Sequence, residues 1–203
     1  NSIYMKCRMI LCKGDNMSVD KNKIETAVKM ILEAIGENPE REGIIDTPAR
    51  VAKMYEEVFS GLHEDPSKHL QVYFSEEYDQ YVLVQDIVFH SMCEHHLLPF
   101  FWKVHVAYYP ENNEVVGLSK IARVTDVISR RPQLQERMGK QIGDTIANAI
   151  KSKGVMVVIE AEHMCMVMRG IKKPGAVTKT IYSTGIFKED LAMRQEVLSL
   201  IKG

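Results

Sequence analysis

Apolar residues recur every three or four positions near the start of the chain, which is the spacing of one helix face. They are Ile24, Val28, Ile31 and Ile35. Gly36 follows, where a glycine commonly ends a helix. A second helix is predicted to begin at Thr47-Pro48 and to end near Gly61, with Thr47 as the N-cap and Pro48 in the first helical position.

After Gln80 the pattern changes to stretches that are rich in β-branched and aromatic residues. Residues 81–89 and 103–109 have this composition, which predicts two strands. Residues 110–113 then supply proline and asparagine for a turn. The segment between the two strands is therefore expected to be held by rigid flanks.

Two further helices are predicted in the middle of the chain. A short one begins with Ser119 as its N-cap and ends before Pro132. A long one follows, with apolar residues at fourfold spacing up to Gly154 and two internal glycines that predict close packing against a neighbour. Its apolar residues are Leu134, Met138, Ile142, Ile146 and Ile150, and its glycines are Gly139 and Gly143.

A strand is predicted over residues 155–169, and its character changes along its length. If the alternation of a strand holds, one face is apolar at first and then presents an imidazole, a thiol and a guanidinium, from His163, Cys165 and Arg169. A last strand over residues 176–183 and a C-terminal helix complete the predicted elements.

Length and composition favour one well-buried domain with an additional arm, because 203 residues are few for two ordinary domains. Charge is nearly balanced, with 26 basic and 27 acidic residues, so nothing global directs the chain to nucleic acid or membrane. No apolar run approaches the ~18 residues of a membrane span. Residues 1–16 are interpreted as a leader or extension outside the fold, and no signal peptide is evident. The four cysteines suggest a reduced, cytoplasmic protein rather than a disulfide framework.

The densest cluster of chemically active side chains is Cys93-Glu94-His95-His96. Cys93 and His96 have the C-x-x-H spacing that lets one tight turn direct both at an ion, and zinc is favoured because it takes sulfur and nitrogen ligands. The best candidate for a further ligand lies in His163-Met164-Cys165. A loop with a buried cysteine and solvated histidines explains the same spacing equally well.

Several charged residues lie on the predicted helices. Arg50 and Lys53 are three apart, and a solvated basic face is the simpler explanation. Lys120 and Arg123 lie in a first helical turn, where they either point to water or accompany an anion bound at the free amides. Glu136 also lies in a first turn, where the helix dipole alone favours a carboxylate.

Taken together, four separated motifs closely resemble those of the type I GTP cyclohydrolases, and the match runs from about residue 24 to residue 201 in the right order. They are Cys93-Glu94-His95-His96, Gly117-Leu118-Ser119-Lys120, Gln133-Leu134-Gln135-Glu136-Arg137 and the stretch from His163 to Gly170. Trp102 departs from the family, which usually has a glycine there, and this could alter packing beside the metal loop.

The resemblance implies an α+β tunnelling fold, with a four-stranded antiparallel sheet and helices on one side. Residues 17–70 would form an N-terminal helical arm, and residues 71–203 would form the catalytic domain. It also implies a homodecamer of two face-to-face pentamers, with active sites between subunits. The implied reaction converts GTP to 7,8-dihydroneopterin triphosphate and formate, the first step of tetrahydrofolate or pterin synthesis, without a nucleic-acid or membrane partner.

Residue roles follow from the same resemblance. Cys93, His96 and Cys165 would bind zinc and leave a fourth position for the water that attacks C8 of guanine. His163 would protonate N7, and His95 would serve proton transfers at the ribose. Glu136 would bind guanine, with Gln135 lining the pocket. The triphosphate would be bound by Ser119, which is also expected in catalysis, together with Lys120, Arg123, Arg169, Arg50 and Lys53.

Three rival hypotheses remain at this stage. One is a different tunnelling-fold enzyme acting on another pterin or deazaguanine, although such relatives lack the set of two cysteines and one histidine. Another is a binding protein with a purely structural zinc, which would need His95 or Glu94 as a fourth ligand. The third is a phosphate-binding regulatory module, which would have no use for His163.

Overall fold

The structure is a computed structural model that describes residues 19–71, 73–76, 78–111 and 114–202. The predicted leader over residues 1–16 and the end of the turn over residues 110–113 lie outside the described residues. Within the described part of the chain, no helix combines the length and apolarity needed to cross a membrane.

Seven α-helices and seven strands are described. The helices are α1 (Lys21–Ala34), α2 (Thr47–Val58), α3 (Leu118–Ser129), α4 (Gln135–Ile150), α5 (Met164–Val167), α6 (Ile186–Glu189) and α7 (Leu191–Lys202). The strands are β1 (Tyr73–Ser75), β2 (Val82–Cys93), β3 (Pro99–Tyr109), β4 (Glu114–Val116), β5 (Pro132–Gln133), β6 (Gly154–His163) and β7 (Val177–Ser183). Two 3₁₀-helices, Ser60–His63 and Pro66–Leu70, connect α2 to β1.

The main sheet has the strand order β5-β2-β3-β6-β7, and β1 pairs separately with β4. The four long strands are all antiparallel, while β5 adds two residues in parallel to the end of β2. The α+β class is therefore confirmed, and the predicted four-stranded sheet is extended by the short β5. That extension matters because β5 lies beside Cys93, at the end of β2.

Helices cover both faces of the sheet, unlike the expectation of helices on one side. The principal core lies between the sheet and α3 and α4, where side chains such as Ile128, Ile142 and Val157 are fully buried. A smaller core on the other face joins Met156 and Val158 to the C-terminal helices. Phe187 and Val197 of those helices are also buried there.

The close packing predicted for the glycines of α4 is confirmed. A Cβ atom added to Gly143 would lie 2.5 Å from the Tyr182 ring on β7. At Gly139 the nearest atom would be the Cδ1 atom of Ile159, at 3.5 Å. Only a residue without a side chain at position 143 lets α4 approach β7 this closely.

The N-terminal helices have a different environment. α1 packs on α2 and ends before Gly36, as predicted, but no α1 residue is buried. Ile31 and Ile35 are 59% and 73% exposed, so only part of the predicted apolar face is covered.

Two predicted N-caps are wrong by one or two residues. Thr47 is the first residue of α2, and Asp46 is its N-cap. Likewise α3 begins at Leu118 with Gly117 as N-cap, so Ser119 lies inside the first turn. Both helices begin earlier than predicted, and neither N-cap residue makes a capping hydrogen bond through its side chain. The backbone conformation at Asp46 and Gly117 is therefore sufficient to begin these helices.

The strand predicted over residues 155–169 is also wrong in its second half. β6 ends at His163, and α5 follows, with the Met168 amide donating to the Met164 carbonyl at 3.1 Å. The residues after His163 are mostly unbranched methionines, which are compatible with a helical turn. Cys165 and Arg169 consequently do not share a strand face with His163.

Candidate active site

A tight turn links β2 to β3 and carries the first cluster of candidate ligands. The Cys93 carbonyl accepts hydrogen bonds from the amides of His96 at 3.3 Å and Leu97 at 2.8 Å, and Leu97 takes a left-handed φ of 51°. The Cys93 amide donates to the Leu98 carbonyl at 2.9 Å. This closure brings Cys93 and His96 to one side of the turn, as their spacing predicts.

Cys165 reaches the same place from α5. The ligand atoms of Cys93, His96 and Cys165 all lie within 4.8 Å of one another, so this group could hold a metal ion. Burial, followed by the neighbouring Cys93, raises the pKa of the Cys165 thiol. Two adjacent thiols resist becoming two thiolates unless a cation compensates the charge, so the donor set fits a soft divalent metal.

Neither Glu94 nor His95 belongs to that group of three. The Glu94 carboxylate forms an ion pair of 2.6 Å with Arg137 of α4, and Arg137, as the largest cause, holds the pKa of Glu94 below its usual value. The Glu94 amide donates to the Gln133 carbonyl of β5 at 3.1 Å. His95 is exposed, with its ring centroid 6.3 Å from that of His96. Glu94 is thus committed to holding the turn.

His163, the last residue of β6, is held by two contacts. Its ring stacks on Phe100 of β3, with centroids 4.7 Å apart and planes within 2°. Its Nε2 atom lies 2.8 Å from the Oε1 atom of Gln135, the first residue of α4. Burial lowers the pKa of His163, while the nearby Glu136 carboxylate opposes that shift.

Gln135 is almost completely buried, with 2% of its surface exposed. Its Nε2 atom donates to the carbonyls of Ile159 at 3.0 Å and Thr178 at 3.1 Å, and to the Thr180 hydroxyl at 3.1 Å. Both ends of the amide are therefore bonded to protein groups.

Glu136 is exposed beside a cavity of about 340 Å³ between α4 and β7. The other lining residues are Gly139, Lys140, Thr180, Ile181 and Tyr182. A carboxylate at such a position can accept hydrogen bonds from a ligand in the cavity.

The predicted anion-binding residues are spread over several elements. Arg169 contacts the candidate ligand His96 through Nη1 and Nε2, 3.1 Å apart. Arg50 forms an ion pair of 3.1 Å with Asp46 of its own helix, and Lys53 is exposed.

Ser119, Lys120 and Arg123 lie in or near the first turn of α3, and only Lys120 is half-buried. The last turn of α3 is the end beside the ligand turn, because β5 follows it and pairs with Cys93. At 1.5 Å per residue, Ser119 lies roughly 15 Å along the helix from Ser129. The structure brings together the candidate metal ligands, and it places His163 beside Gln135, but it does not bring the first turn of α3 to them within one chain.

Sequence reasoning missed three residues of the site. Phe100 supports the His163 ring, Arg137 holds Glu94, and the buried Gln133 side chain donates to the Ile128 carbonyl and to Gln141. Gln133 and Arg137 belong to the motif Gln133-Leu134-Gln135-Glu136-Arg137, so their closeness in sequence to Glu136 could have indicated a role in the site. No feature of the sequence indicates such a role for Phe100. Trp102 is 42% exposed in β3, and among the described residues no side-chain hydrogen bond or ring contact joins it to the candidate metal ligands.

These residues have the parts of a metal-assisted acid–base centre, namely a possible metal site, a held histidine and an exposed carboxylate. A family model described as GTP cyclohydrolase I matches residues 24–202. The chain belongs to the GTP cyclohydrolase I family, which confirms the resemblance seen in the motifs.

Relatives of high similarity agree with the family match. The GTP cyclohydrolase 1 of Pelotomaculum thermopropionicum is 61% identical over 91% of this chain and 98% of its own length. That of Bacillus subtilis is 59% identical over 91% of this chain and 97% of its own length. The crystal structure of the archaeosine synthase QueF-Like in the apo form aligns at 16% identity with a TM-score of 0.43, over 54% of this chain and 97% of that one, too weakly to support an argument.

Proposed function

We propose that this protein hydrolyses GTP to 7,8-dihydroneopterin triphosphate and formate, the entry step of tetrahydrofolate or pterin synthesis. The family match over residues 24–202 supports the reaction. The observation that carries the proposal is that the ligand atoms of Cys93, His96 and Cys165 lie within 4.8 Å of one another. Cys165 is two residues along the chain from His163, the proposed proton donor.

In this proposal Cys93, His96 and Cys165 hold zinc. Two thiolates and one imidazole suit that metal, and three protein donors leave a fourth coordination position open, as catalytic zinc sites require. When bound, zinc supplies a Lewis acid that lowers the pKa of a water molecule toward ~7. Glu94 and His95 lie outside the group, which argues against the rival hypothesis of a closed structural site.

His163 is proposed to give a proton to N7 of guanine. Stacking on Phe100 and the bond to Gln135 hold its ring in one plane, as a proton donor requires. His95, exposed on the ligand turn, is proposed to serve the proton transfers at the ribose oxygen. Each task uses the side chain that exchanges protons most readily near neutrality.

Glu136 is proposed to bind the base. Guanine offers two adjacent donors, N1–H and the exocyclic amine, and one carboxylate accepts both in a plane. The cavity beside Glu136 supports this assignment. Gln135, placed in the guanine pocket by the family resemblance, lies behind that position with its side chain bonded to the protein.

The triphosphate is proposed to bind Ser119, Lys120, Arg123, Arg169, Arg50 and Lys53. Ser119 lies roughly 15 Å along α3 from Ser129, the end nearest the candidate metal ligands of the same chain. This separation supports an active site completed by a second chain, in which the first turn of one α3 lies beside the metal ligands of a neighbouring subunit. A homodecamer of two pentamers with tunnelling-fold subunits meets this requirement. Residues 17–70 would be its helical arm and residues 71–203 its catalytic domain.

A cytoplasmic location is also part of the proposal. Cys93 and Cys165 are free thiols, and such pairs persist in a reducing compartment.

One assay tests the proposed reaction. Purified protein is incubated with GTP, and formate and the fluorescent pterin formed after oxidation are measured, with and without a chelator. We expect both products from GTP, their loss with chelator and their return with added zinc. A protein that retains its metal and releases no formate would favour the structural-metal hypothesis.

A further inference from the structure

The direction of the Gln135 amide is fixed by its surroundings. Its Nε2 atom lies within 3.1 Å of three acceptors, two of which are the carbonyl oxygens of Ile159 and Thr178. Carbonyl oxygens cannot donate, so a reversed amide would oppose oxygen to oxygen. Because Gln135 is only 2% exposed, no solvent could compensate that arrangement. The Oε1 atom must therefore face His163.

An amide oxygen accepts hydrogen bonds and has no hydrogen to give. The His163 Nε2 atom, 2.8 Å from Oε1, must consequently carry a hydrogen. Stacking on Phe100 fixes the ring plane, and turning the ring over within that plane would place a carbon against Oε1. Both the tautomer and the orientation of His163 follow from contacts with two neighbours.

We propose that Gln135 is a positioning residue that keeps a hydrogen on Nε2 of His163, so that Nδ1 is the atom that exchanges a proton with the substrate. The second clause rests on the proposed function. The charged imidazole has a hydrogen on each nitrogen, and transfer of the Nδ1 proton to N7 of guanine leaves the neutral Nε2–H form. The bond from Nε2 to Gln135 persists through the transfer, so the amide does not rearrange.

The decisive measurement is made on the parent protein, and a variant is needed only to assign the signals. The zinc-loaded protein is labelled with ¹⁵N-histidine, and long-range ¹H–¹⁵N spectra are recorded where the His163 ring is neutral. Loss of signals in His163→Asn assigns its nitrogens. We expect a protonated, pyrrole-type Nε2 and a bare, pyridine-type Nδ1. The reverse pattern, or an even mixture of both tautomers, overturns the proposal.

Variants separate positioning from a contact with GTP. Gln135→Met keeps the side-chain length but removes the amide, so we expect mixed tautomers and a kcat lower by at least ~10-fold, with KM changed less than ~2-fold. Thr180→Val removes a hydroxyl that can donate as well as accept, so the carbonyls of Ile159 and Thr178 should still fix the amide direction and keep the parental tautomer. Thr178→Val is the matched control, because Thr178 contributes its main-chain carbonyl, and it should keep the parental spectrum.

Two outcomes distinguish this proposal from others. A parental His163 spectrum in Gln135→Met, with KM for GTP raised ~10-fold or more, would make Gln135 a substrate contact and overturn the positioning role. A parent protein with the Nε2–H tautomer that releases no formate would support the role of Gln135 and overturn the proposed function instead.

Discussion

The two ends of α3 lie beside very different parts of the proposed site. Near its last turn, the ligand turn after β2 is tied to β5 by a backbone bond and to α4 by the ion pair of Glu94 with Arg137. At its first turn, Ser119 and Arg123 are exposed, and Lys120 is half-buried. One end is held together by contacts within the chain, and the other presents exposed side chains at which the triphosphate is proposed to bind.

The difference follows from what each chemistry needs. Metal ligands and a proton donor must be fixed to fractions of an ångström, so they are held by the sheet and by buried hydrogen bonds. Cations that bind a triphosphate act through charge and tolerate solvent until the substrate arrives. A subunit boundary can therefore pass between the two parts without loss of precision.

Removal of one metal ligand should have the largest effect. In Cys165→Ala we expect zinc well below one per chain and no measurable formate release, because two donors cannot hold the ion. The α5 turn has no buried residue, so circular dichroism and assembly size should be retained. Met166→Ala, in the same turn, is the control that keeps its zinc. Full zinc content in Cys165→Ala, measured by atomic absorption, would show that the ligand set is wrong.

A mixing experiment tests whether the two ends belong to different chains. Cys165→Ala and Lys120→Ala should each be nearly inactive alone at low GTP. If the two ends come from different chains, a co-assembled mixture would combine an intact metal site with a neighbour's intact Lys120. Random assembly of equal amounts would restore about a quarter of the sites. Formate release no greater than the sum of the two separate variants would mean that both ends come from one chain.

The structure shows why some of this could be predicted from the sequence. The fourfold spacing after Leu134 marks α4 to within a residue, and Met138, Ile142, Ile146 and Ile150 are all buried, because one regular helix lies along the sheet. The turn that carries Cys93 and His96 was also predictable, because the C-x-x-H spacing is a local pattern and the two residues lie in one tight turn.

The remainder depends on pairings that no local pattern encodes. Arg137 and Glu94 are 43 residues apart and meet only because β5 sets α4 beside the ligand turn. Beyond His163, alternation and helical spacing both fit the methionine-rich run, so the end of β6 was misplaced. The predicted N-caps, Thr47 and Ser119, are wrong because Asp46 and Gly117 can begin the same helices.

Loss of one cation should weaken substrate binding and leave the metal untouched. Lys120→Ala removes a charge-assisted contact worth ~1.5–3 kcal/mol, so KM for GTP should rise by ~10-fold to ~150-fold. Lys202→Ala, on α7, is the control that should bind GTP normally. The zinc content should stay parental, and guanosine, which lacks phosphates, should be a poor substrate for the parent protein. Equal losses with GTP and guanosine would place Lys120 away from the triphosphate.

The smallest effect is expected from loss of the ion pair between Arg137 and Glu94, which holds the ligand turn against α4. Arg137→Ala removes the ion pair to Glu94 and leaves the ligand turn fixed by the bond to the Gln133 carbonyl. We expect the zinc dissociation constant, measured by competition with a chelator, to rise ~10-fold, the low end for residues that orient metal ligands. Lys140→Ala is the matched control, because Lys140 lies on the same helix and pairs with Asp144 rather than with the ligand turn. If Arg137 belongs only to the metal end, the apparent affinity of zinc-saturated protein for GTP should not change. The same zinc affinity in both variants would show that the ion pair is a surface contact of little consequence, since exposed pairs often contribute nothing measurable.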